Sequence, residues 1–263
     1  MTKPDEIKAC CAAAYSSDLV ALLLGDSYHP GGQALTRRLA ASMDLHSGQS
    51  VLDVASGRGT SALTIAQQYD VSVVGVDLSP ANVALSNGAV QAAGLSDRVS
   101  FRPGDAEKLP VRDGSVDAVL CECALCTFPD KPAAAHEFAR VLRPGGRVGI
   151  TDVTVDRDQL PPELSTLGAW VACVADARPA AEYAEILTDA RLRVTVIEHH
   201  DAAAGRMIDQ IEARLHFLRL TSRAKLDSYD LDVNRAGSVL GAARTAITNG
   251  ALGYALLVAD KPA

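Results

Sequence analysis

Between about residue 50 and residue 153 the chain alternates short, apolar, β-rich runs with helix-like stretches, and few folds can accept that pattern. The runs are SVLDVA (50–55), VSVVGVD (71–77), VSFRP (99–103), DAVLCE (117–122) and RVGITDV (147–153). Between several of them lie SALTIAQQY, PANVALSNGAVQAAG and AAAHEFARVL, the last with Ala133, Phe138 and Val141 on a helical period. Strands that are apolar on both faces need cover on both faces, so the pattern predicts an α/β, doubly wound, mostly parallel sheet. LRPGG (142–146) reads as a helix stop and a turn into the next strand.

On either side of this core the reading is mostly helical. Residues 5–24 and 32–43 read as two helices separated by DSYHPGG. After the core, 180–190 reads as a helix and LRVTVIEH (192–199) as a strand, and about fifty mostly helical residues precede a last strand, GYALLVAD (253–260). A long helical insertion before a closing strand adds a lid or an oligomer face, so a homodimer is compatible with it. The 263 residues, 48% of them hydrophobic, are read as a single domain, 1–263. Residues 1–45 form an N-terminal helical arm, 46–155 the ligand-binding core, and 156–263 a substrate-side lid, the helical insertion and the closing strand.

Several classes of partner are excluded at this level. A net charge of −7 gives no electrostatic reason to expect nucleic acid or an anionic membrane. The longest apolar runs, LVALLL (19–24) and YALLVA (254–259), are too short to span a bilayer. MTKPDEIKACC carries acids and lacks an apolar stretch beside a basic one, so it does not read as a secretory signal and a cytoplasmic location is expected. The six cysteines are then expected to be reduced thiols rather than a disulfide framework.

VLDVASGRGT (51–60) is an apolar strand ending in a carboxylate, then a turn with glycines at 57 and 59, then a helix. Glycines let backbone bend sharply and approach a ligand closely. Ala62 stands where a dinucleotide-binding pattern has its third glycine, which that pattern also accepts, so context must arbitrate. Asp77 ends the next strand, where a carboxylate can take both hydroxyls of a ribose. Asp105, in PGDAEKLP, follows the third strand, where it can accept from an adenine amino group. Asp53 would repel a pyrophosphate but welcome a cationic amino-acid tail. Three acids after three successive strands therefore suit a nucleoside without phosphates; otherwise they are strand-end acids capping turns.

VLDVASGRGT, VVGVDLS, GDAEKLP and LRPGG, in this order and spacing, resemble the motif series of class I S-adenosylmethionine-dependent methyltransferases over about residues 45–155. The resemblance implies a Rossmann-like, seven-stranded sheet and S-adenosyl-L-methionine as cofactor. It implies that Gly57 and Gly59 line the methionine side, that Asp77 holds the ribose, and that Asp105 with Ala106 faces the adenine. Asp53, Ala55, Leu78 and Cys121 complete the implied cofactor residues. Ala55-Ser56 replaces a Gly-Cys pair common in that family.

Cysteines cluster beside this core. CECALCTFPDK (121–131) carries Cys121, Cys123 and Cys126, and AWVACVADARPAAEYAEIL (169–187) carries Cys173. If the strand continues, Cys121 and Cys123 share one face. The two stretches resemble those of arsenite methyltransferases, which have a Ser-Asn-Cys run with a loop ending Pro-Asp-Lys, and a Trp-x-x-Cys element, here Trp170 to Cys173. The resemblance implies that Cys123 and Cys173 are the catalytic thiols that hold trivalent arsenic. That family's further thiol, from a Tyr-Gly-Cys-Gly segment, has no counterpart in Tyr28-His29-Pro30-Gly31, so Cys10 or Cys11 would have to supply it. Three other readings stand beside this one. The chain could methylate O, N or C of an organic small molecule, with a base from Glu122, Asp152, His199, His200 or Tyr28. Cys121, Cys123, Cys126 and Cys173 could form a structural zinc site, although the usual paired spacing is missing. The fold could also serve as a thiol or metalloid sensor.

Overall fold

In a computed structural model, which describes residues 4–25, 28–161, 164, 172–222, 226, 229 and 233–263, the alternating segment builds the sheet foretold. Its strands are β1 (Ser50–Val54), β2 (Ser72–Asp77), β3 (Val99–Pro103), β4 (Val116–Glu122), β5 (Leu142–Val155), β6 (Arg193–His199) and β7 (Leu252–Asp260). The spatial order is β3-β2-β1-β4-β5-β7-β6. Strands β1 to β5 pair in parallel, whereas β7 is antiparallel to both β5 and β6. Chain order reverses between β1 and β4, where the crossovers leave to opposite sides. That reversal opens a crevice at the carboxyl ends of the strands.

Both faces are covered, as the apolar strands require. On one face α6 (Lys131–Val141) and, after the short helix α7 (Ala172–Ala175), α8 (Ala180–Asp189) bring Phe138 and Tyr183 onto Leu52, Val119, Ile150 and Leu257. On the other, α3 (Gly32–Ser42), α4 (Thr60–Tyr69) and α5 (Pro80–Ala92) bring Leu39, Ile65 and Val90 onto Val51, Val73, Leu120 and Val258. Leu142, read from sequence as part of a helix stop, instead joins β5 opposite Val116. The ladder then shifts register before Arg147.

The arm departs from the single first helix expected. It breaks into α1 (Pro4–Tyr15) and α2 (Asp18–Leu24), bent by 59°. The side chain of Ser17 accepts from the Val20 N–H and so starts a new helix there. The late helices α9 (Asp201–Thr221) and α10 (Val233–Thr248) do not roof the crevice. Instead Leu215 packs on Leu23 and Arg214 bonds the Leu23 carbonyl, so α9 buttresses α2. Among the described helices, no single one is long and apolar enough to cross a membrane.

Candidate active site

The crevice is a cleft of about 1180 Å³, mouth included. With its open mouth counted, it has room for a nucleoside-sized molecule and a second ligand. Asp53, Ala55, Gly57, Asp77, Leu78, Asp105 and Ala106 all line it. Gly59 does not. Its φ is 80°, and an added Cβ would sit 2.6 Å from Phe101 and 2.9 Å from Ser86. Gly59 therefore serves the close approach of α4 to the sheet, whereas a Cβ on Gly57 would meet nothing within 4 Å. Ala55, at φ 54°, holds a left-handed backbone in which glycine would be unstrained.

The carboxylates differ in what already binds them. Asp77 accepts from the Gly57 and Ser79 N–H groups, both at 2.8 Å, which fixes it at the turn. Burial nevertheless pushes its carboxyl up, against those bonds. Asp105 is gripped by Lys8 of α1 at 2.7 Å and accepts from the Glu107 N–H, so the arm closes over the end expected to take the adenine. Asp53 is 2% exposed and its Oδ2 has no partner. Burial first, then the neighbouring Glu122 and Asp77, pushes its carboxyl well above the usual range. A cation placed there would reverse that shift. Among the described residues, six buried polar side-chain atoms lack a partner, and five of them belong to residues lining this cleft: Tyr28 Oη, Asp53 Oδ2, Ser56 Oγ, Arg58 Nε and Asn82 Oδ1. Buried polar groups are normally satisfied. An amine, hydroxyls and open space beside Gly57 are what S-adenosylmethionine would bring, so the residues fit that cofactor.

The structure brings Cys123 and Cys173 together, with Cys126 as a third neighbour. Strand β4 ends at Glu122, and Cys123 turns to φ 53°, which breaks the strand's alternation. Cys121 therefore stays in the core on the other side, fully buried and away from the cleft. Its assignment as a cofactor residue is corrected on that ground. Cys123 lines the cleft, and Cys126 and Cys173 sit directly behind it, in a cluster with Val155 and Leu252. Cys123, Cys126 and Cys173 pack against one another, and the Tyr15 hydroxyl of α1 contacts the Cys173 sulfur. The two thiols, and then Tyr15, hold Cys173 well below the usual thiol range despite its burial. Burial, and donation to its two neighbours, push Cys126 up.

Lys131 explains why the two loops meet. Its ammonium donates to the carbonyls of Cys126 and Phe128, both at 3.0 Å, and to Asp176 at 2.5 Å, three residues beyond Cys173. Trp170 lies outside the described residues. Cys11 lines the cleft close to Cys173, whereas Cys10 is exposed and does not line it. Among the described residues, no group of three or more His, Cys, Asp or Glu is disposed to hold a metal ion. With Cys121 also turned away, the four-cysteine zinc arrangement is not formed.

Of the bases considered, Glu122 and Tyr28 line the cleft, while His199 and His200 lie away from it. Glu122 accepts from Ser61 at 2.6 Å and Thr36 at 3.0 Å, and His29 Nε2 stands 3.7 Å from it. Asp152 is buried behind the wall and accepts from the Cys126 N–H at 3.0 Å. Sequence reasoning missed Tyr15, His29 and Cys126 as parts of one wall. Their signals were the one-face spacing of Lys8, Cys11, Ala12 and Tyr15 on α1, and the Cys-x-x-Cys of Cys123 and Cys126.

Comparison with known proteins matches residues 52–150 to the methyltransferase-domain family. The chain is 29% identical to the 27-O-demethylrifamycin SV methyltransferase of Amycolatopsis mediterranei over the full length of both. It is 34% identical over 169 residues to an arsenite methyltransferase of Halobacterium salinarum, covering 62% of this chain and 42% of that one. It spans about half the length, or less, of several of the curated relatives it matches. The crystal structure of the [4+2]-cyclase SpnF superposes with a TM-score of 0.80 at 24% identity, covering 99% of this chain and 97% of that one.

Proposed function

We propose that this chain, whose residues 52–150 match the methyltransferase-domain family, moves a methyl group from S-adenosylmethionine to a soft acceptor held by thiols. Trivalent arsenic is the acceptor its chemistry favours. The observation that carries this reading is the contact of Cys123, Cys126 and Cys173 at the end of β4, where Cys123 reaches the cleft. Thiolates are soft donors that suit thiophilic centres. Loading by Cys123 and Cys173 needs no oxidant. Each arsenic–sulfur bond forms as an arsenic–oxygen bond breaks, and the thiol proton leaves with the hydroxide as water.

S-adenosylmethionine supplies an electrophilic methyl group on its sulfonium. A trivalent arsenic bound by two sulfurs keeps a lone pair to receive that methyl, so the transfer itself needs no general base. The work left to the residues is alignment. Asp53 and Asp77 hold the donor side, Cys123 presents the acceptor from a fixed left-handed backbone, and Cys123, Cys126 and Tyr15 together hold the Cys173 thiol below the usual range. Cys11 is the arm's contribution to the same wall, in preference to Cys10.

A second reading is methyl transfer to O, N or C of an organic acceptor. It is favoured by Glu122 and His29, which face the same cleft, and by the full-length match to a relative named for a rifamycin substrate. The test incubates the purified chain with arsenite, a thiol reductant and S-adenosylmethionine and separates the arsenicals by mass. The wild type is expected to yield methylated arsenic. Cys123→Ser and Cys173→Ser should each lose on the order of 100-fold in rate while still binding S-adenosylhomocysteine. A wild type that leaves arsenite unmethylated, or serine variants that work normally, would hand the protein to the second reading.

A further inference from the structure

The cofactor's amino-acid tail carries an ammonium and a carboxylate, and only the first has so far found a partner, in Asp53. On the same wall stands a cation that has no counter-ion among the described residues. Arg58 sits between Gly57 and Gly59, immediately before α4, and lines the cleft. Its guanidinium lies 5.5 Å from the centroid of the Tyr28 ring, within cation–π range. The guanidinium also bears on the Tyr28 hydroxyl, which burial pushes up and Arg58 pulls back down, while Arg58 Nε is buried and, among the described residues, has no hydrogen-bond partner. Among the described residues no carboxylate pairs with Arg58, whereas Arg140 is met by Asp113 and Glu137, and Arg244 by Asp209 and Glu212.

Two further features give this wall its sign. The ten-residue helix α4 begins at Thr60, and its N-terminal N–H groups add positive potential next to Arg58. The unpartnered Asp53 Oδ2, in a side chain 2% exposed, adds a negative point beneath the same turn. A positive spot and a negative spot on one wall complement a zwitterion better than they do a neutral group or a plain anion.

We propose that Arg58, with the Tyr28 hydroxyl, binds the carboxylate of the methionyl tail while Asp53 takes its ammonium. The zwitterionic tail then becomes a principal determinant of cofactor selection. This rests on S-adenosylmethionine being the cofactor and is independent of which acceptor is methylated.

The test is calorimetric, on the full chain, with three probes: S-adenosylhomocysteine, its decarboxylated analogue and 5′-methylthioadenosine. Wild type should prefer S-adenosylhomocysteine to the decarboxylated analogue by about 10–100-fold, the worth of a charge-assisted hydrogen-bonded pair. Arg58→Gln should lose that preference while binding the other two probes as wild type does. Arg58→Lys should recover part of it, and Tyr28→Phe should lose a smaller share. Full preference retained in Arg58→Gln overturns the proposal. So does an equal loss on all three probes, which reports a damaged cleft, or an anionic acceptor as the true partner of Arg58. Failure of the wild type to bind any probe sinks the cofactor reading itself, a result distinct from either.

Discussion

Asp152 shows how much one buried residue can tie chemistry to stability. It is fully buried, and its two oxygens accept from the N–H groups of Cys126 and Val153. Burial pushes its carboxyl up to about 7, against about 3.9 in an unfolded chain. Below the unfolded value both states hold the proton, and the stabilising contribution is fully present. As pH rises from about 4 through 7 the unfolded chain releases its proton first, so that contribution is lost, by an amount on the order of 4 kcal/mol. Denaturant unfolding between about pH 4 and 8 should therefore show wild-type stability falling more steeply than that of Asp152→Asn; parallel curves would mean that Asp152 is already ionised in the fold. At this same scale the sequence was partly readable. Cys123 and Cys173 could be named from their motifs. Cys121 could not be separated from Cys123, because alternation along a strand assumes that the strand continues, and the positive φ of Cys123 ends it.

Among the elements, the turn between β1 and α4 divides its two glycines between packing and binding. Gly57→Ala meets open space and bears only the cost of a left-handed backbone, roughly 1–2 kcal/mol. Its main effect should be weaker binding of S-adenosylhomocysteine. Gly59→Ala drives a Cβ into Phe101 and Ser86 as well, so its melting temperature should fall clearly further. Equal melting temperatures for the two variants would remove the distinction. Helix α1 works in a comparable way, with Lys8, Cys11, Ala12 and Tyr15 spaced along the cleft. Lys8 ties its start to Asp105 and Glu107, and Tyr15 ties its end to Cys173. The glycine turn was legible because glycine and strand-end acids carry local signals. The arm was not, since helical spacing shows a face without saying what that face meets. Likewise Lys131, the first residue of α6, gives no hint in sequence that its ammonium reaches Asp176 from another loop.

For the molecule as a whole, the sheet and its flanking helices were readable because parallel strands buried on both faces have little freedom in composition. What the outer helices do was not readable, as α9 and α10 support the arm and the back of the thiol cluster instead of covering the cleft. The account joins two halves of the fold: strand ends β1 to β3 for the donor, and the β4 end with the segment at Cys173 for the acceptor. Its central claim is that one soft atom is shared between sulfurs of the second half. X-ray absorption at the arsenic edge, on the full chain loaded with arsenite beside S-adenosylhomocysteine, counts the neighbours of that atom directly. The account predicts a shell of at least two sulfurs in the wild type that loses one in Cys173→Ser. An oxygen-only shell, or a sulfur count unchanged by that substitution, would contradict it.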